Sequence, residues 1–335
     1  MTVQEIESAC KASQALDFSR HEQETPELLL RKEFYPRGFS VEVRTNSAEI
    51  LSLYKETWGI YRKEFDTEKI LVDVLLVESD AKVCPPTPVF RMTQPKLVFV
   101  ADANNYSLID LSASKTQITV SRAALRHPKY LQYFFLDAAA SSHIATRYMT
   151  PVHAACVALN KRGVLLCGDS GAGKSSLSYA CARAGWTFVT DDSSYLLNEG
   201  TDRIVMGDCH RVRLRPTAAE LFPEINGLKM TPRAAGKPSI EIATATMPHI
   251  DCAPAAKVDF IVFLNRRSGG PPELVPYRKD VARYFMRQVL YGSAESLARQ
   301  YEVIERVLTA DVLELRYTDM GWAISSLQAL LRERR

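Results

Sequence analysis

Eight consecutive residues, Gly168-Asp169-Ser170-Gly171-Ala172-Gly173-Lys174-Ser175, fill every fixed position of the pattern G-x-x-x-x-G-K-[ST]. The chemistry this spacing serves is the binding of a nucleotide's phosphates. Glycines let successive backbone N–H groups turn toward one anion and leave room for its oxygens. A helix starting at Lys174 adds the positive end of its dipole. Lys174 would bridge the β- and γ-phosphates, and the Ser175 hydroxyl would bind Mg²⁺. A tight strand-to-helix turn would also use the glycines, but it would not call for Lys174 and Ser175. Asp169, Ser170 and Ala172 occupy the variable positions, and Ser176 follows; the expected nucleotide cradle runs from Gly168 to Ser176.

A phosphate loop needs an acidic partner for its metal, usually at the end of a neighbouring strand. Asp191-Asp192 closes the apolar run 186-WTFVT-190, seventeen and eighteen residues after Lys174. One carboxylate could hold Mg²⁺, directly or through water; the other could orient or deprotonate an attacking hydroxyl. Asp-Asp-Ser-Ser is also good turn chemistry, so a cap or turn competes with that reading.

Elements must deliver these groups. The strand 163-GVLLCG-168 should run into the loop, and a helix over about 174–184 should follow, with Gly185 where a helix C′ glycine belongs. Strand, glycine loop, helix, strand is the order of an α/β nucleotide-binding unit. Strands are expected at 153–160, 186–191, 211–215, 239–244, 258–264 and 312–317. Helices are expected near 217–222, 278–291 and 293–309 and from about 320. The first half has another rhythm. Residues 1–35 read as a short helix and a lead-in, and strands are expected at 39–45, 69–78, 96–102, 106–112 and 117–123. A helix over 48–62 and a helical stretch over 128–149 complete it. That half carries no catalytic signature.

Composition excludes several classes. Hydrophobic residues make up 46% and charged residues 24% of 335, as in globular proteins. The net charge of +3 is too small to argue for nucleic acid or a membrane surface. No run approaches the ~20 apolar residues of a membrane helix, and the opening stretch lacks the basic-then-apolar pattern of a signal peptide. The seven cysteines are scattered without a C-x-x-C pair, which predicts reduced, mostly buried thiols in a cytoplasmic protein.

The arrangement resembles HPr kinase/phosphorylase. In that family a histidine-led strand, a short turn and G-V-L-L-x-G precede a G-x-S-G-x-G-K-S loop, and 153-HAACVALNKRGVLLCGDSGAGKS-175 looks like it. A strand ending in Asp-Asp follows, similar to 185-GWTFVTDD-192. The likeness covers about 151–200 well and extends loosely to about 320. It implies ATP and Mg²⁺ as cofactors, Asp192 as the base that accepts a serine proton, Asp191 supporting the metal or that base, and His153 near the transferring phosphoryl group. It also implies a homo-oligomer, because the family forms hexamers. Two features depart. The family has glutamate after the loop serine where Ser176 stands here, and its downstream signature rich in E-I-R-G is replaced by 207-GDCHRVRLRP-216. Since that signature carries the family's reverse phosphorylase activity, kinase activity without it is expected.

Arg211, Arg213 and Arg215 alternate and so share one face of a strand. They form either a solvated face or a fork for phosphate, with Arg215 the member assigned to the nucleotide. Loop 226–238, carrying Lys229, Arg233 and Lys237, reads equally as a flexible solvated loop; it also resembles a mobile basic loop of the family, and on that resemblance Lys237 is assigned to the phosphates. The expectation is an α/β phosphate-loop kinase domain of the HPr kinase or phosphoenolpyruvate carboxykinase-like type over 151–335, preceded by an α+β, strand-rich region over 1–150. Its expected partner is a protein or peptide with an acceptor serine. Two other classes stay open: a small-molecule kinase or carboxykinase-like enzyme, and a nucleotide-sensing regulator without transfer activity.

Overall fold

The computed structural model describes residues 4, 5, 8, 27–93, 95–231 and 238–333. They fall into two compact units, one reaching to Thr146 and one built from Arg147–Thr231 and 238–333. The lead-in expected over 1–35 lies mostly outside the described residues.

In the first unit, β1 (Leu30–Phe34) and β2 (Val41–Thr45) precede helix α1 (Ala48–Trp58). Then come β3 (Ile70–Val77), β4 (Val89–Thr93), β5 (Lys96–Asp102), β6 (Asn105–Asp110), β7 (Lys115–Ser121) and helix α2 (Asp137–Arg147). They form one mixed sheet in the order β1-β2-β3-β7-β6-β5-β4, with β2, β3 and β7 parallel and the other pairs antiparallel. Several expected boundaries move for local reasons. The helix expected over 48–62 stops at Trp58, where Gly59 takes the cap and donates to the Lys55 carbonyl. The strand expected over 106–112 stops at Asp110, whose carboxylate accepts from the N–H groups of Ser112 and Ala113. The strand expected over 117–123 stops at Ser121, whose hydroxyl caps the turn Arg122–Leu125. The helical stretch over 128–149 is a turn at Pro128–Leu131, a π segment at Gln132–Leu136 and then α2.

The second unit is α/β. Its strands are β8 (Met149–Leu159), β9 (Arg162–Cys167), β10 (Thr187–Thr190), β11 (Ser193–Leu197), β12 (Ile204–Met206), β13 (Arg211–Leu214), β14 (Ile240–Ala243), β15 (Ala255–Arg266), β16 (Glu273–Pro276) and β17 (Asp311–Tyr317). Its helices are α3 (Lys174–Arg183), α4 (Lys279–Arg287), α5 (Ala294–Val307) and α6 (Met320–Glu333). β9, β15 and β17 run parallel side by side, while β8 flanks β9 and β16 flanks β17 in the antiparallel sense. Alternate residues of these strands point to opposite faces. Val164, Leu166, Val262 and Leu315 pack with Leu177 of α3 and Leu327 of α6. Leu165, Cys167, Ile261 and Val312 pack with Met286 of α4 and Ile304 of α5. Helices therefore cover both faces, the layering expected of strands that read as continuous apolar runs.

β13 and β14 form a separate two-stranded ribbon. Val212 and Leu214 join Tyr179, Ala180 and Ala182 of α3 in a third apolar cluster, which fixes the ribbon against the helix. Strands β1, β4, β11, β12 and β16 were not anticipated; most are short and lack a clear period-2 apolar pattern. Of the cysteines, Cys156, Cys167, Cys181 and Cys209 are buried, Cys84 is half-buried and Cys252 is exposed. Among the described residues no helix is long and apolar enough to cross a membrane.

One close approach lies beside the acidic pair. A Cβ on Gly207 would stand 2.5 Å from Thr190 Cβ and 2.6 Å from the Val189 carbonyl oxygen, at the end of β10 and directly before Asp191. Gly207→Ala is expected to cost about 1–3 kcal/mol of stability, read as a lowered midpoint in urea unfolding.

Candidate functional site

Strand β8 organises the site. Ala154 pairs with Cys167, the last residue of β9, so the glycine loop begins beside His153. Thr190 pairs with Cys156, and Ser193 pairs with His153 itself. Asp191 and Asp192 span the gap between those two pairings. One strand thus brings together His153, the start of the loop and the acidic pair, which lie far apart in sequence.

The loop has the backbone its glycines permit. Gly168, Gly171 and Gly173 have φ of +146°, +100° and +100°, the region that L side chains rarely adopt. Substitution is also blocked sterically: a Cβ on Gly168 would stand 2.8 Å from the Ala172 Cβ, and one on Gly173 2.9 Å from the Tyr317 hydroxyl oxygen. Gly173 caps α3, and its carbonyl accepts from Leu177 N at 2.8 Å. The turn is closed by Ala172 N donating to the Asp169 carbonyl at 3.0 Å.

Lys174 is 5% exposed. Its ammonium turns into the loop and donates to the carbonyls of Gly168 at 2.6 Å and Asp169 at 3.2 Å. Burial lowers its pKa, against the pull of Asp192 and Asp169. Ser175 Oγ donates to the Asp191 carbonyl at 3.2 Å, so the two residues expected to share a metal adjoin. Ser176 follows on the first turn of α3.

The two aspartates differ in environment. Asp191 is 4% exposed; burial pushes its carboxyl up to about 7, although Arg213 pulls it down. Its Oδ2 accepts from the Arg213 backbone N–H at 3.1 Å. Asp192 is more open, with a side chain 38% exposed, and its Oδ1 lies 3.4 Å from His153 Nδ1. His153 is held below the usual imidazole range, first by burial and then by Lys174, with Asp192 and Asp169 acting the other way. Its charged form is therefore disfavoured.

Arg211 and Arg213 of β13, and Arg215 directly after it, diverge in role. Arg211 is tied to Asp208 at 2.7 Å. Arg213 lies by Asp191. Arg215 Nη2 donates to Ser170 Oγ at 3.1 Å, which places its guanidinium on the loop. Lys237, the other basic residue assigned to the phosphates, lies outside the described residues, as does Arg233. Sequence reasoning missed the Arg213 N–H, Gly207 and Tyr317. The glycine of 207-GDCHRVRLRP-216 was a signal for a close approach; for the other two none existed.

No family model matches this sequence, and no curated protein matches it. Among solved structures, the Hpr(Ser) kinase/phosphatase from Coxiella burnetii is similar over 55% of this chain and 96% of its own, at 15% identity and a TM-score of 0.33. That is a distant structural likeness, and the site stands on the geometry above.

The Asp191 environment has a pH signature. In the folded chain its carboxyl keeps a proton up to about pH 7, whereas in the unfolded chain it loses it near the ordinary value of 3.8. Its contribution to stability is full below 3.8 and is lost as pH rises through 7. Asp191→Asn should therefore gain thermal stability relative to the unsubstituted chain between pH 4 and pH 7, with a level gap above. A gap in Tm that does not change with pH would show that the carboxyl titrates normally.

Proposed function

We propose that this chain is an ATP- and Mg²⁺-dependent kinase that transfers the γ-phosphoryl group to a serine hydroxyl of a protein or peptide. The observation that carries the reading is the meeting of Lys174, Ser175, Asp191, Asp192 and His153, from three separate parts of the chain, around one glycine loop. Arg215 reaches the same loop from a fourth.

The residues fit a metal–nucleotide pair. The loop glycines leave the room that side chains would fill, and Lys174 and Arg215 supply positive charge for phosphate oxygens. Among the described residues no group of three or more His, Cys, Asp or Glu could hold a metal ion. Ser175 and Asp191 suit a Mg²⁺ that takes its remaining oxygens from phosphates and water. Mg²⁺, when bound, offsets the charge of the β- and γ-phosphate oxygens.

The chain's own residues supply the rest. Asp192, the open carboxylate, takes the proton of the acceptor hydroxyl as the acceptor oxygen bonds to phosphorus and ADP departs. His153, 3.4 Å away, orients that carboxylate. Lys174 and Arg215 neutralise charge that shifts to the leaving phosphate. Catalysis is then mainly positioning and charge compensation. The segment 207–216 packs closely on the end of β10 and presents Arg213 to Asp191 and Arg215 to the loop, and the activity proposed is the forward transfer alone.

Lys174→Ala should lose ATP binding in calorimetric titration. Asp192→Asn should keep it while transfer of labelled γ-phosphate to polypeptide falls by about 10²–10⁴-fold. Label moving to a free metabolite instead would make this a small-molecule kinase. ATP binding with no labelled product in a whole lysate would make it a nucleotide sensor.

A further inference from the structure

Tyr317 ends β17, and nothing in its spacing marks it. Its ring lies in the apolar cluster with Leu315, Leu177 and Ala323, under α3 and α6. The side chain is 1% exposed. Its hydroxyl has no hydrogen-bond partner among the described residues, yet it points at the phosphate loop: the oxygen stands 2.9 Å from the place a Cβ on Gly173 would take. Gly173 is the residue at which loop becomes helix.

A buried hydroxyl without a partner opposes folding, and phenylalanine would fill the same space without that cost. Groups that cost stability where they stand belong typically to functional sites, where the cost is recovered in another state. The loop offers such a state. The carbonyls of Gly168 and Asp169 accept from the Lys174 ammonium. A lysine that engages a phosphate releases them, and the loop then holds acceptors that need a donor.

We propose that the Tyr317 hydroxyl is a positioning group for the phosphate loop, unpaired in the arrangement described and donating to loop backbone when a polyphosphate draws Lys174 away. The proposal rests on the phosphate-loop reading under Proposed function. Burial raises the phenol to about 12, so it is a neutral donor throughout the working pH range.

Tyr317→Phe tests it, because a merely structural hydroxyl and a positioning one predict different pairs of results. The unsubstituted chain, Tyr317→Phe and Lys174→Ala are titrated with ATP in the presence of Mg²⁺, and Tm is measured for each without nucleotide. The expected result is a Tyr317→Phe variant whose Tm without nucleotide is equal or higher, and whose affinity for ATP is about tenfold weaker. Wild-type affinity in Tyr317→Phe, with binding lost in Lys174→Ala, overturns the role of Tyr317 and leaves the phosphate loop intact. A lower Tm without nucleotide overturns it too, because the hydroxyl would then have a structural partner. An unsubstituted chain that does not bind ATP removes the phosphate-loop reading and this role with it.

Discussion

The second unit depends on the pairing of β8. A single eleven-residue strand contacts β9 over Ala154–Leu159, β10 over Cys156–Ala158 and β11 over Met149–His153. Because side chains alternate along a strand, a one-residue slip in any of these ladders would turn every side chain to the other face. Burial prevents that slip: Ala154 and Cys156 belong to one apolar layer, Ala155 and Val157 to the opposite one. Packing thus fixes the register, and the register fixes where His153 stands relative to the loop and the acidic pair. The site's geometry follows from core packing rather than from contacts among its polar groups.

Those polar groups sit in graded environments. Lys174 and Asp191 are almost wholly buried, whereas His153 and Asp192 are partly open. Burial disfavours charge on both buried members, lowering Lys174 and raising Asp191, and the partial burial of His153 lowers it as well. Two adjacent carboxylates in one chain are therefore not equivalent. Asp191 is held by the Arg213 N–H in a place where charge is costly, and Asp192 faces the His153 imidazole where solvent reaches it.

Much of this was legible in the sequence. The loop, the helix after it, Gly185 at φ +86° and Asp191-Asp192 after β10 stand where spacing placed them. Short-range chemistry explains that success, since glycine conformation, helix starts and strand ends are decided by neighbouring residues. The pairings of β8 with β10 and β11 were not legible, because register is set by partners far along the chain. Nor was the divergence of the three arginines: alternation places Arg211, Arg213 and Arg215 on one face, but Asp208, Asp191 and Ser170 decide what each does. Tyr317 was silent for the same reason. Its meaning comes from its approach to Gly173, 144 residues earlier in the chain.

The inward turn of Lys174 bears on selectivity. With two carbonyls already accepting from its ammonium, an arriving anion does not add contacts to an idle charge; it competes with the loop's own oxygens for them. Under the proposed function, binding is an exchange, and its free energy is the difference between two sets of hydrogen bonds. A small singly charged anion brings little to that exchange. A polyphosphate, with several charged oxygens, would bring more to it. On that reading the lysine would act as a threshold on charge, occupied by the carbonyls of Gly168 and Asp169 until a more highly charged anion displaces them.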